Sequence, residues 1–304
     1  MNFDLSDDQV ALRDGIRKLC EGRFDMARVR RGFDRSVFAE LAETGVFSAR
    51  ADGFAWADVS IMFQELGRAL VPGPLTWSHL AHGRVDGVVG GVERPRGGEP
   101  AYLEQIDVLD ALVVLDRDGV EVVAPSALAD SIELDWPLDP LTPVRRITAL
   151  PAGERVGDAG LARTWRRGGA LLTAAYQAGM AQACVERATA YGLERHQFGR
   201  PVGSFQAVKH LLADMAVQAE VARTAVDAAA CVLDDPETGD VDRAVSGAKV
   251  LAGDAALANA KGSLQVHGGM GFTWEVDVHL YLKRSWVLNA TFGSPTAHAE
   301  ALAR

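Results

Sequence analysis

The chain has 304 residues, 48% of them hydrophobic and 24% charged, with a formal net charge of −10. That length accommodates one to three domains around a large core, in a composition ordinary for a globular protein. The acidic balance argues against a nucleic-acid partner and gives no hint of an anionic membrane surface, but it leaves room for a local basic cluster that binds a phosphorylated small molecule.

Taken in chain order, the start MNFDLSDDQVALRDG lacks the basic flank and apolar run of a secretory signal. No stretch reaches the roughly 18 apolar residues of a membrane span. Cys20, Cys184 and Cys231 are dispersed and have no partners at metal-ligand spacing. They are expected to be buried free thiols of a reducing cytosol, which predicts a cytoplasmic protein. Ser6 and Gln9 form a capping box, and Leu12, Ile16, Leu19 and Cys20 then share one helical face. SVFAELAETGVFSA and DVSIMFQELGRALVPGP continue the helical pattern, the second stopped by Pro72-Gly73-Pro74.

Residues 84–100, rich in glycine and proline, read as loops and turns. Two β-rich runs, Ala111–Leu115 and Val120–Val123, flank Asp-Arg-Asp-Gly and predict a hairpin; PVRRITALP is a third short run. From about residue 158 the helical period returns: Leu172, Tyr176, Met180 and Cys184 step by four, and Phe205, Val208, Leu212, Met215, Ala219 and Ala222 by three and four. An alanine-rich helix over about 241–266 ends at His267-Gly268-Gly269, and a last helix covers EVDVHLYLKRSWVLNA. The expected class is mainly α with a small β insert. Its divisions are an N-terminal α-helical domain over 1–97, a reduced β-rich domain over 98–155 and a C-terminal four-helix bundle over 156–304.

No P-loop, dinucleotide GxGxxG, HExxH or CxxC is present, and GGMGF at 268–272 follows a helix rather than a strand. The seven histidines are scattered; His279 and His298 lack acidic partners at ligand spacing, so no metal is expected. ERHQFGRPVGSFQAV carries more. Ser204 after Pro201-Val202-Gly203 is a good N-cap, and a helix starting there points free N–H groups at an anion, with Arg195 close by. On these grounds alone an anion site and a plain helix–turn–helix both stand.

YGLERHQFGRPVGSFQAVKHLLADMAVQAEVAR (191–223) and LQVHGGMGFTWE (264–275) resemble the flavin-contacting segments of acyl-CoA dehydrogenases. FDLSDDQVALRDGIRKLCEGRF, ELAETGVFSA and MFQELGRALVPGP are similar to that family's N-terminal helices, in the right order. The resemblance implies an acyl-CoA dehydrogenase fold: helical domain, β domain, four-helix bundle, with FAD between them and across a subunit interface. A carboxylate base takes the α-proton of an acyl-CoA while a hydride leaves the β-carbon for the flavin. Carried over by position, contacts to the ADP half of FAD fall on Arg195, Gln197, Phe198, Phe205, Gln206, Gln265, Gly268 and Gly269.

The departures from the family pattern fall at the chemistry. Phe292 and Gly293 stand where the family has the tyrosine and catalytic glutamate of a Tyr-Glu-Gly-Thr stretch, with Pro295 and Ala297 at the next two flavin-contacting places. The alternative base position, on an earlier helix, is Gly169, followed by Ala170 in place of an arginine. No Thr-Glu-Pro loop or Trp-Ile/Val-Thr strand for the flavin ring occurs between Gly83 and Asp110. The resemblance then implies the short, non-catalytic-type subunit of a heteromeric α2β2 enzyme of the actinobacterial, sterol side-chain kind. Its partners would be a full-length catalytic subunit, an acyl-CoA and electron-transfer flavoprotein. Two alternatives stay open: a homomeric enzyme with a displaced base at Glu186, Glu194 or Glu300, and a scaffold without chemistry.

Overall fold

The structure is a computed structural model and describes residues 4–95 and 97–303; Met1, Asn2, Phe3 and Arg96 of the stretches read above lie outside the described residues. By internal contacts the chain divides into two compact units. One takes in the N-terminal segment to Ala27, Trp56–Val71 and the chain from Ala170 onward; the other takes in Arg28–Ala55 and Pro72–Gly169.

Five helices come first: α1 (Asp7–Arg23), α2 (Met26–Val29), α3 (Arg35–Glu43), α4 (Trp56–Arg68) and α5 (Leu75–Ala81). The capping box at Ser6 and Gln9 starts α1, and its buried residues are Ile16 and Cys20. Seven strands follow: β1 (Val89–Glu93), β2 (Ala101–Glu104), β3 (Ala111–Leu115), β4 (Gly119–Val123), β5 (Ile132–Glu133), β6 (Val144–Ile147) and β7 (Glu154–Asp158). They form a four-stranded sheet of order β1-β3-β4-β7 and a three-stranded sheet of order β2-β6-β5. The expected β3–β4 hairpin is present, with Leu112 opposite Val123. The loop reading of 84–100 is corrected at Val89–Glu93, which pairs in parallel with β3, Val89 beside Ala111. Its glycines are needed for packing: a Cβ on Gly91 would run into the Trp77 ring of α5, and one on Gly90 into Leu109.

The remaining helices are α6 (Ala159–Glu194), α7 (Gln206–Asp234), α8 (Val241–His267), α9 (Val278–Ala290) and α10 (Pro295–Leu302), with a short hairpin β8 (His196–Gln197) and β9 (Arg200–Pro201) between α6 and α7. Leu172, Tyr176, Met180 and Cys184 are all buried along α6. Close backbone crossings hold α4 to α6: a Cβ on Gly67 would strike Tyr176 O, and one on Gly179 would strike Gln64 O. Polar pins fix the bundle further. Asn259 donates to Ala181 O at 3.1 Å and Met215 O at 2.9 Å, joining α8 to α6 and α7. Asp234 near the end of α7 accepts from Trp56 N and Ala57 N, capping α4 from outside its own segment. No helix among the described residues is long and apolar enough to cross a membrane.

Candidate functional site

The Gly-Pro break after α6 is a tight β-hairpin. His196 pairs with Pro201 and Gln197 with Arg200, leaving Phe198 and Gly199 as a two-residue loop. Both have positive φ, 52° and 79°, as a type I′ turn requires. Phe198 accepts a conformation that non-glycine residues seldom adopt, and its ring is 92% exposed. It meets Phe205 edge-on at 6.2 Å, while the Arg200 guanidinium lies 4.1 Å over the Phe205 ring.

The expected Ser204 cap is corrected. Ser204 Oγ donates to Pro201 O, and α7 starts one residue later, with Phe205 at the N-cap and no side chain on its first N–H groups. The 3-10 turn Val202–Ser204 takes up the position a conventional cap would use. The uncapped start of α7 therefore keeps its N-terminal donors for an outside acceptor.

Gly268 ends α8 at φ 59°, opening a 3-10 turn, Gly268–Phe272. A Cβ at Gly268 or Gly269 would meet nothing within 4 Å, so the backbone is open to close approach. The two segments are brought side by side by Tyr191, whose ring stacks on His267 with centroids 4.1 Å apart. Arg195, Gln197, Gln206, Gln265, Gly268 and Gly269 are all exposed, and Phe205 is half-buried. The Arg195, Gln197, Gln206 and Gln265 side chains make no hydrogen bond or ion pair among the described residues. A free guanidinium, three free amides, an open glycine turn and an uncapped helix start form a donor set that fits a pyrophosphate and its nucleoside.

The position expected for the base is different. Phe292 (φ 54°, buried) and Gly293 (φ 101°) turn the chain out of α9. A Cβ on Gly293 would lie 2.6 Å from His298 Nε2. His298 Nε2 donates to Phe292 O at 2.9 Å, and its Nδ1 is 3.1 Å from Ser246 Oγ. The ring thus fills the space over residue 293 and turns an N–H, not a lone pair, to the loop. Below it, buried Lys249 donates to Leu288 O at 2.8 Å and Gln177 Oε1 at 3.3 Å. Gln177 in turn donates to Asn289 at 2.6 Å. Burial without a carboxylate partner pushes the Lys249 amine down to about 8.

The other base position, Gly169, is buried within α6 and followed by buried Ala170. Of the displaced candidates, Glu186 is gripped by Arg68 at 2.8 Å and by Gln182, while Glu194 and Glu300 are exposed. Sequence reasoning passed over Tyr191, His267, Lys249 and the His298–Gly293 contact. The four-residue step from Tyr191 to Arg195 was a usable signal; the others depend on tertiary neighbours.

An open cation-and-glycine surface and, in the same compact unit, a loop closed by His298 over Gly293 are the two features that bear on the chemistry of this fold. Residues 165–304 match the family model "Acyl-CoA dehydrogenase, C-terminal domain". The chain is 34% identical over 305 residues to the acyl-CoA dehydrogenase IpdE2 of Mycobacterium tuberculosis, covering 92% of this chain and 91% of that one. In fold it is similar to a chain of the ChsE4-ChsE5 complex from Mycobacterium tuberculosis (TM-score 0.84, 21% identity, 100% and 98% coverage). It is also similar to a chain of the Tcur3481-Tcur3483 steroid ACAD G363A variant (TM-score 0.83, 22% identity, 98% and 97% coverage). The chain belongs to the acyl-CoA dehydrogenase family, oxidoreductases that act on CH–CH donors with FAD as cofactor.

Proposed function

We propose that this chain is the non-catalytic-type subunit of a heteromeric acyl-CoA dehydrogenase, lending ADP-side contacts to FAD while a full-length partner supplies the catalytic glutamate and flavin-ring contacts. The observation that carries the reading is the contrast between unpartnered Arg195 on the surface and Gly293 shut under His298. The resemblance to chains of a ChsE4-ChsE5 complex and of a steroid ACAD supports a heteromeric assembly and a steroid-derived CoA thioester as substrate; the assembly would be α2β2, the acyl group the steroid side chain and the electron acceptor electron-transfer flavoprotein. The family's three-part division would then fall at 1–97, 98–155 and 156–304.

Arg195 and the first N–H groups of α7 would neutralise the pyrophosphate, and Gln197, Gln206 and Gln265 would orient the nucleoside. Gly268 and Gly269 would admit it to backbone contact, with Phe198 and Phe205 as the apolar wall. When bound, the flavin supplies the acceptor for the substrate's β-hydride. Among this chain's residues no carboxylate takes the α-proton: Glu186, the most enclosed candidate, is neutralised by Arg68.

The test is co-purification. The chain alone should be colourless and inactive. Co-expressed with a full-length acyl-CoA dehydrogenase of the same organism as partner, it should yield a yellow complex that oxidises an acyl-CoA. Stoichiometric FAD and turnover in the chain alone would overturn the reading, and so would a complex that never takes up flavin.

A further inference from the structure

Arg187 and Tyr191, four residues apart, leave one face of the last turns of α6, and Arg195, four further on, is the first residue past its end. Each engages a different neighbour. Arg187 is half-buried; its Nε donates to Tyr281 Oη at 3.3 Å, and its guanidinium carbon lies 5.3 Å from the Tyr281 ring centre. Tyr281 is fully buried in α9, and its hydroxyl donates to Arg68 O at the end of α4. One turn further, Tyr191 stacks on His267 at an interplanar angle of 26°, with its hydroxyl 3.5 Å from His267 O. His267 is the last residue of α8, directly before Gly268, and its Nδ1 is 2.7 Å from Ser263 O. Burial, helped by the Arg187 charge, holds its imidazole below the usual histidine range, which keeps the stacked ring neutral.

The third step reaches the hairpin. Arg195 N donates to Tyr191 O at 2.8 Å, and Val202 N donates to Arg195 O at 2.7 Å. The returning strand is pressed against the same helix: a Cβ on Gly203 would lie 2.9 Å from Gly192 O. The hairpin that carries Arg195 and the turn that opens at Gly268 therefore have a shared support, the Arg187–Tyr191 stripe of α6. Among the described residues no hydrogen bond, ion pair or ring contact joins Arg195 or Gln197 to Gly268 or Gly269 directly.

We propose that Arg187 and Tyr191 are positioning residues that set the separation between Arg195 and the Gly268–Gly269 turn, so that both meet one dinucleotide. The identity of that ligand rests on the function proposed above; the mechanical coupling does not. Tyr191 is the direct link and acts through the face of its ring. Arg187 steadies it from one turn below by fixing α6 to α9.

Hydrogen–deuterium exchange on the full chain tests the coupling. In Tyr191→Leu, exchange should rise roughly tenfold in both 196–204 and 266–273, with the melting temperature and the rest of the bundle little changed. Tyr191→Phe keeps the stack and should match the wild type, and Arg187→Lys should lie between wild type and Arg187→Met. Should Tyr191→Leu not fold, Tyr191→Met keeps the bulk without the ring and carries the same expectation. Faster exchange in one segment alone, or a phenylalanine variant as loose as leucine, would overturn the proposal. In the co-expressed complex, Tyr191→Leu should retain FAD about 10–100-fold less tightly with assembly unchanged. If both segments loosen but no complex ever takes up flavin, the coupling stands and the dinucleotide reading fails.

Discussion

The surface formed by the 196–206 hairpin and the 268–272 turn, and the 291–298 loop after α9, lie in the same compact unit and have opposite characters. The first is largely exposed and uncapped, and the side-chain donors of Arg195, Gln197, Gln206 and Gln265 have no partner among the described residues. The second is pinned at its base, with Phe292 buried, Lys249 under Leu288 O and His298 over Gly293. A pure scaffold gains nothing from leaving a guanidinium and an open glycine turn at its surface. A chain that took the substrate proton at this loop would need a carboxylate there, and the loop holds Gly293 under an imidazole N–H. The pair of features together fits a chain that completes a site built elsewhere.

The most forceful way to break this contrast is to return a carboxylate to the closed loop. Gly293→Glu places a side chain on φ 101° and drives its Cβ toward His298 Nε2. A loss of about 2–4 kcal/mol is expected in urea unfolding, with no gain of acyl-CoA oxidation by the chain alone. Removing the obstacle as well, in Gly293→Glu with His298→Ala, should recover the steric share and leave the backbone strain. A stable, active single variant would show that the position was open all along. On the other side, Arg195→Ala removes an exposed side chain that has no partner among the described residues, so stability should stay within about 0.5 kcal/mol. Flavin retention by the complex should nevertheless fall roughly 10–100-fold, the worth of a charge-assisted contact. If flavin is retained as tightly as before, the open surface is not the ADP side.

Much of this contrast was legible before any coordinates. The four-residue rhythm of Leu172, Tyr176, Met180 and Cys184 marks the buried face of α6 because a helix repeats its neighbours at that spacing. Arg195, Gly268 and Gly293 stood out through the resemblance of their segments to the family's motifs, not through residue chemistry alone. What sequence missed has a common physical cause. Gly90 and Gly91 look like turn residues, yet they are strand glycines that make room for Leu109 and Trp77, neighbours distant in sequence. Phe198-Gly199 hid a hairpin because the strands it joins are two residues each, too short for any alternation to register. His298 looked like a lone histidine because its partners are a backbone carbonyl and a hydroxyl, Phe292 O and Ser246 Oγ, which no motif encodes.

The pinned side can be sharpened through pH. Lys249 is held at about 8, below its ordinary 10.5, by burial. Above pH 8 the folded amine has lost its proton while the unfolded chain keeps it, so the unfolded state binds more protons and stability rises with pH. Above pH 9 the trend reverses: the unfolded thiols of Cys20 and Cys184 ionise near 9.0, whereas burial pushes the folded ones up to about 12. Between pH 8 and 9 Lys249 alone contributes a rise of about 1 kcal/mol, of which the two thiols offset roughly 0.7 kcal/mol, so the net rise is only a few tenths of a kcal/mol. Urea midpoints at pH 8.0 and 9.0 should show the Lys249 share as a difference: stability should fall with pH in Lys249→Met, and the change in the wild type should be about 1 kcal/mol more favourable. The same slope in both would place the titrating group elsewhere.

The smallest effect is expected at the tip of the open side, and it separates stability from function most cleanly. Phe198 holds φ 52° with its ring 92% exposed, so the fold gains little from that side chain and bears the strain of its backbone. Glycine adopts that conformation freely but adds entropy to the unfolded chain, and the two terms nearly offset. Phe198→Gly should therefore leave the melting transition unchanged or raise stability by up to about 1 kcal/mol. Assembly with the full-length partner, followed by light scattering, should weaken by severalfold as an aromatic contact is lost. A ring kept at the cost of local strain is explained by a partner that covers it. If Phe198→Gly assembles and retains flavin as the wild type does, the ring belongs to neither the interface nor the nucleotide, and the open surface shrinks to Arg195, the glutamines and the glycine turn.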